Sequence, residues 1–248
     1  MNFTKRSSAD QARWEALGLK WLADADGANV VPVVSFDNGE LVEPMLESAP
    51  QTRKASEEFG VALAKTHAAG ARCFGCGPDG WDDSKLAWIG RSRLVLGEYD
   101  KWGAFFADLR LMPYAKNSLE LGTISKNCMR LIEKVCEKLR NGDFDDDRKP
   151  ARIHGDMWAG NVLSTPDGLT LIDSAAHGGH PVTDLALLEL FGYPHLEVIK
   201  SSYAEAAKLD SGWRELIGLH QLHPLLVHAQ LFGGGYGLQA ESVARQYA

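Results

Sequence analysis

Much is missing from this 248-residue sequence, and each absence narrows its role. No apolar run approaches the roughly 18 residues of a membrane span. The opening stretch MNFTKRSSADQARW has no apolar core of the kind a secretory signal requires. The expected location is therefore the cytoplasm, with no membrane partner. Basic residues are not in excess: the net charge is −7, which argues against a nucleic-acid partner, where a basic face is expected. There are only four cysteines. Cys73 and Cys76 form a C-x-x-C, but Cys128 and Cys136 are too far apart to supply a second pair. This favours two reduced thiols in a Gly-rich loop over a zinc or redox centre. Internal repeats and low-complexity tracts are absent, and no histidine cluster has zinc-ligand spacing with matching partners.

What is present reads as a small β-containing region followed by a large helical one. NFTKR resembles the end of a strand. SADQARWEALGLKWLADA predicts a helix, capped by Ser8 or Asp10, with Trp14, Leu17 and Trp21 at helical spacing. VVPVVSFDNGELVEPML predicts two short strands about an Asp-Asn-Gly turn. SEEFGVALAKTHAAG is helical, with Phe59, Leu63 and His67 on one stripe and Gly70 as its stop. EYDKWGAFFADLRLMPYA and SLELGTISKNCMRLIEKVCEKLRN predict two further helices, the second long and amphipathic. NVLS and LTLID then predict a hairpin about a Pro-Asp-Gly turn. PVTDLALLELFG and WRELIGLHQLHPLLVHAQLFGGGYG return to helix. His220, His223 and His228 have apolar neighbours and read as helix-packing residues. The expected domain organisation is 1–48 for a small lobe with its hinge and 49–248 for a helical lobe.

The chemistry concentrates in RIHGDMWAGNVL. Phosphoryl transfer from ATP to a hydroxyl needs a carboxylate at the hydroxyl proton, two oxygen ligands for Mg²⁺, and a cation on the phosphates. Kinases space these parts as H-R-D, four residues, then N, with a later Asp on the metal. His154-Gly155-Asp156 is followed by Asn161 at that interval, and Asp173 closes the apolar strand LTLI. Asp156 is thus the candidate base, while Asn161 and Asp173 are candidate Mg²⁺ ligands, hard oxygen donors that leave room for phosphate oxygens. The hairpin would bring both ligands to one edge. The cation is expected at Lys5, paired with Glu15 of the next helix. ELVEPMLES reads as the hinge, whose backbone from Glu43 to Met45 could bind adenine. His177 and His180, just past Asp173, are candidates for contact with phosphate or substrate.

These residues resemble the fructosamine kinase (ketosamine-3-kinase) family, relatives of aminoglycoside phosphotransferases. HGDMWAGNVL is similar to that family's H-G-D-[LM]-W-x-G-N, and LIDSAAHGGHPVTDLALLELFG to its I-D-P-A segment. FGVALAKTHAAG, WGAFFADLRLMP and LHPLLVHAQLFGGGYG also match family blocks. The resemblance implies an α+β, bilobal protein-kinase-like fold and ATP-dependent phosphorylation of a ketosamine, at its 3-hydroxyl, in deglycation of a small molecule or glycated amine. It carries the base to Asp156 and the metal to Asn161 and Asp173, lays Trp158 against the substrate, and has Asp184 brace the catalytic loop that begins at His154. Three departures stand out. The family's Gly-containing strand pair before the lysine is missing, so a truncated small lobe is expected. RSRLVLGEYDKW replaces a Pro-x-x-Asn segment, and Ser174 stands where Pro is usual. Two other readings compete: a kinase of an aminoglycoside or amino alcohol, and a pseudokinase lacking the phosphate-covering loop.

Overall fold

The computed structural model describes residues 1–248. Strand β1 (Asn2–Arg6) leads into helix α1 (Ala9–Ala23). Ser8 is the cap, its side chain accepting from the Gln11 N–H. Short strand β2 (Asn29–Val30) precedes the hairpin β3 (Ser35–Asp37) and β4 (Glu40–Pro44), which turns at Asn38-Gly39. Strands β1, β4 and β3 form an antiparallel sheet with β4 in the middle, so Lys5 lies opposite Leu41. Helix α1 packs on this sheet through Ala12, Ala16 and Leu19, which meet Val31 and Leu41.

Helix α2 (Arg53–Ala68) starts at Thr52, not at the Ser56 region where the sequence motif begins. A hairpin of β5 (Ala87–Ile89) and β6 (Ser92–Leu94) follows the Cys73–Gly80 loop. Helix α3 (Trp102–Phe105) continues through a π-helical segment, Phe106–Leu111, into α4 (Met112–Glu120). The expected single helix from Ser118 to Asn141 is broken. Chain reversal at Leu121–Gly122, with Gly122 at φ +72°, ends α4, and α5 (Lys126–Asn141) begins afresh at its Ser125 cap. The Leu-Gly-Thr-Ile stretch had apolar spacing but also a stop and a new cap.

Strand β7 (Ala151–Ile153) runs into the loop that begins at His154. The hairpin β8 (Val162–Thr165) and β9 (Gly168–Leu171) and strand β10 (His177–Gly179) follow. β2 pairs in parallel with β9, and β10 pairs antiparallel with β7. Helices α6 (Val182–Phe191), α7 (Leu196–Ala206), α8 (Ile217–Phe232) and α9 (Tyr236–Tyr247) complete the chain. Helices α7 and α9 have no counterpart among the elements expected from the sequence.

Two cores hold the helical part. The larger joins α3, α4, α5, α8 and α9 through residues such as Phe106, Leu111, Ile132, Leu139 and Leu225. The other joins α2, α6 and α7 to the β8–β9 hairpin through Phe59, Leu63, Leu171, Leu185 and Ile199. Burying side chains of this size stabilises the fold by about 1.5–3 kcal/mol each. The β8–β9 hairpin therefore rests on packed helices rather than on loops. No helix is long and apolar enough to cross a membrane.

Candidate active site

The catalytic loop is held from beneath by one buried carboxylate. Asp184, in the first turn of α6, is fully buried. Its Oδ2 accepts from the His154 N–H at 2.7 Å and its Oδ1 from the Gly155 N–H at 2.9 Å. His67 Nε2 lies 3.1 Å from Oδ2, and His67 Nδ1 is 2.7 Å from the Tyr203 hydroxyl. Read as a tautomer, His67 donates to Asp184 and accepts from Tyr203. Burial by itself would raise the Asp184 carboxyl, but the His67 bond and the loop N–H groups outweigh it and hold it below the usual range. His154 is buried too. Its Nε2 reaches the Ile172 carbonyl at 2.8 Å, and its Nδ1 accepts from the Asp156 N–H at 3.2 Å. Burial lowers its pKa, so it is a neutral strut. Gly155 is at φ +81°, and a Cβ there would come within 2.4 Å of the Ala175 carbonyl. Only glycine fits between His154 and Asp156.

On the other face the loop presents its acids. Asn161 Nδ2 donates to the Asp156 carbonyl at 2.9 Å, to Asp156 Oδ2 at 3.4 Å and to the Asp173 carbonyl at 3.3 Å. Asn161 ends a short 3₁₀ turn just before β8, and Asp173 lies just beyond β9, so the hairpin does bring the two together. Asp173 adopts a left-handed conformation, φ +56°, which Asp tolerates better than most residues. Lys5 reaches over from β1. Its Nζ donates to Asp173 Oδ1, and to Glu15 Oε1 at 2.5 Å, and lies 3.8 Å from Glu43 Oε2. Burial alone would lower the Lys5 ammonium, but Glu15 and Asp173 hold it above its ordinary value.

The acids do not balance. Three carboxylates converge on one ammonium, with Asp156 close by. Burial raises Glu15 against the pull of Lys5. It pushes Glu43 up to about 7, and burial with Asp173 and Asp184 nearby pushes Asp156 up to about 7. Glu43 Oε1 is buried with no partner. An arrangement this acidic fits a divalent cation. Asn161 commits its amide nitrogen to the protein while its Oδ1 accepts no protein bond. No group of three His, Cys, Asp or Glu forms an all-protein metal cage, so any metal here would complete its shell with other oxygens. A cavity lined by His67, Arg148 and Tyr203 among others lies elsewhere and contains none of these acids.

A fructosamine kinase family model matches residues 2–248. The chain belongs to the fructosamine kinase family. A ketoamine-kinase relative from Synechocystis is 30% identical over 98% of this chain and 82% of its own length. One from Vibrio vulnificus is 28% identical over 96% and 82%. Among solved structures, a fructosamine-3-kinase-type protein from Thermobifida fusca superposes with a TM-score of 0.90 at 41% identity, over 98% of this chain and 84% of that one. A choline kinase from Streptococcus pneumoniae matches at TM-score 0.58 and 18% identity, which speaks to the shared protein-kinase-like fold alone. This fructosamine kinase family member is thus a phosphotransferase that uses ATP and acts on a small-molecule ketosamine, with a sugar hydroxyl as acceptor.

Several expected contacts are altered in this family member. His177 is buried rather than open to substrate. Its Nδ1 donates to the Ala175 carbonyl at 2.8 Å, its ring packs against Phe105, and burial depresses its pKa to about 3. It shapes the loop from within. His180 is likewise buried, against Asp146 at 3.1 Å. Glu43 turns its side chain toward Lys5 instead of offering only backbone. The Met45 N–H already donates to the Met1 carbonyl at 3.0 Å. Trp158 is 43% exposed and meets Phe191 edge-on. It lies so close over Gly160 that a Cβ there would be 2.4 Å from its ring. His67 was legible only as part of an apolar stripe. A lone histidine in that stripe, one helical turn before a stop, was the available signal for its contact with Asp184.

Proposed function

We propose that this enzyme transfers the γ-phosphoryl group of ATP to the O3 hydroxyl of a ketosamine, as a step in removing sugars from glycated amines. The observation that carries the reading is the convergence of Asp156, Asn161 and Asp173 on one face of a hairpin, with Lys5 arriving from the β1 sheet. Asp156 Oδ accepts the hydroxyl proton as the sugar oxygen bonds to the γ-phosphorus and the bond to the ADP oxygen breaks. A carboxylate raised to about 7 is matched to that task at neutral pH. Lys5, freed from Asp173, steadies the phosphates while Glu15 keeps it in place. Asn161 Oδ1 and Asp173 would hold Mg²⁺, which when bound neutralises charge on the phosphates. Asp184 keeps the Asp156 backbone fixed, so little rearrangement is needed during the reaction.

Residues 1–48 form the nucleotide side in this reading and 49–248 the substrate side. Adenine would meet carbonyl oxygens of the Glu43 to Met45 segment, because Pro44 has no N–H and that of Met45 is taken. Trp158 offers its ring to the sugar. Dependence on ATP fits a cytoplasmic enzyme. The test is ADP release from Mg-ATP with a ribulosamine, a fructosamine, an aminoglycoside and an amino alcohol, each with Asp156→Ala as control. Ketosamine-dependent release that disappears in the control supports the reading. Release with the aminoglycoside alone, or equal release in the control, overturns it.

A further inference from the structure

Beside the base lies a second feature that phosphoryl transfer does not use. Trp158, two residues past Asp156, begins a run of rings. Its centroid is 6.4 Å from that of Phe191. Phe191 is 4.9 Å from His228, which is 5.4 Å from Phe232 and 5.0 Å from Tyr236. These rings come from the catalytic loop, α6, α8 and α9. Trp158, Phe191 and Phe232 are 43%, 38% and 64% exposed. Exposed aromatics scattered singly need no explanation, but a contiguous group next to a catalytic base marks a binding surface.

We propose that this ring cluster is the subsite for the protonated amine of the ketosamine and the substituent that amine carries. The inference rests on the ketosamine reading above and deepens it. A ketosamine bears a secondary amine on the carbon two away from C3, and near neutral pH that amine is a cation with two N–H donors. Its short reach from O3 places it at the Trp158–Phe191 end, and its substituent runs on over His228, Phe232 and Tyr236.

Three observations favour a cation there. The ring faces are open to one: the protein's five Lys or Arg contacts with aromatic faces all use other rings. Aromatic faces attract an ammonium through their quadrupole. His228 adds an acceptor rather than a competing charge. Its Nδ1 donates to the Pro224 carbonyl at 2.8 Å, which leaves the Nε2 lone pair available, and burial keeps the ring neutral. There is also room. Gly192 follows Phe191, Gly233 to Gly235 follow Phe232, and a Cβ at Gly192, Gly234 or Gly235 would meet nothing within 4 Å.

The test compares an N-alkyl fructosamine with its 1-alkylthio ketose, which has the same reach and a neutral linker. The wild-type enzyme is expected to prefer the amine in kcat/KM by about tenfold or more, mainly through KM. That preference should fall below about threefold in Phe191→Leu and in His228→Leu, and persist in Phe191→Tyr. An ATP-induced rise in melting temperature shows that each variant is folded; Trp158→Leu, at the amine end of the cluster, replaces any that is not. Equal kcat/KM for the two compounds in the wild type overturns the proposal, as does an undiminished preference in all folded Leu variants. If neither compound is phosphorylated, the ketosamine reading itself has failed. Phosphorylation of both without preference fails the amine subsite alone.

Discussion

The two faces of the catalytic loop are built on opposite terms. Beneath it, Asp184 is fully enclosed and every partner is in place: two loop N–H groups and His67, itself bonded to Tyr203. Above it, Lys5 is shared among Glu15, Glu43 and Asp173, Glu43 Oε1 has no partner, and Asp156 is held near neutrality. The lower face satisfies itself and gives the fold a fixed backbone. The upper face is left with more acids than its one ammonium offsets, which is where the proposed Mg²⁺ and phosphates would sit. Stability resides in one and the proposed chemistry in the other, only a residue or two apart.

Several experiments would break or sharpen that contrast. The largest effect is expected above the loop. Asp156→Asn should lower turnover by about 10²–10⁴-fold, the usual contribution of a general base. The same substitution should stabilise the ligand-free protein at pH 8. A carboxyl raised from 3.8 to about 7 in the fold binds its proton more tightly folded than unfolded. Its contribution therefore fades as pH climbs from about 4 through 7, by up to ~4 kcal/mol. Thermal melts at pH 5 and pH 8 check this: the variant should gain more on the wild type at the higher pH.

Below the loop the sign reverses. Asp184→Ala should cost about 3–5 kcal/mol of stability, because buried donors lose their acceptor, and urea denaturation measures it. Activity would then fall through loss of folded protein rather than chemistry. A smaller effect concerns the metal. Mg²⁺ with ATP at a hundredfold excess over Kd should stabilise the protein by about 2.7 kcal/mol. With EDTA present the rise in melting temperature should shrink, and in Asp173→Asn it should be nearly absent. The smallest expected change is His67→Phe, which keeps the ring packing against Tyr203 but removes the bonds to Asp184 and to the Tyr203 hydroxyl, costing about 1–3 kcal/mol. If His67→Phe proves as damaging as Asp184→Ala, the loop is held by the histidine and the contrast needs redrawing.

The site's reacting half was readable from residue spacing. Asp156, Asn161 and Asp173 come together because a two-stranded hairpin with a tight turn leaves one geometry for its ends. Lys5 and Glu15 were found from a strand followed by a helix, and they do pair. What spacing does not carry is the direction of a side chain relative to the interior. His177 and His180 follow Asp173 closely in sequence, yet β10 pairs with β7 and turns them inward. Glu43 appeared as hinge backbone, but alternation along β4 places it on the Lys5 side with Leu41 on the same buried face. Helices α7 and α9 start without capping side chains, after His195 and Gly235, so no start signal in the sequence marks them. The aromatic cluster depends on the meeting of four distant segments, which no local pattern reports.

The Lys5–Asp173 contact joins residues 168 positions apart. Lys5 and Glu15 can find each other as soon as the first helix forms, but Asp156, Asn161 and Asp173 leave the ribosome much later, and Asp184 later still. A partly synthesised chain thus carries the lysine proposed to meet the phosphates without the proposed base and metal ligands. It has no means of spending ATP on water, and the ability to transfer a phosphoryl group arrives only when the second core closes behind the hairpin.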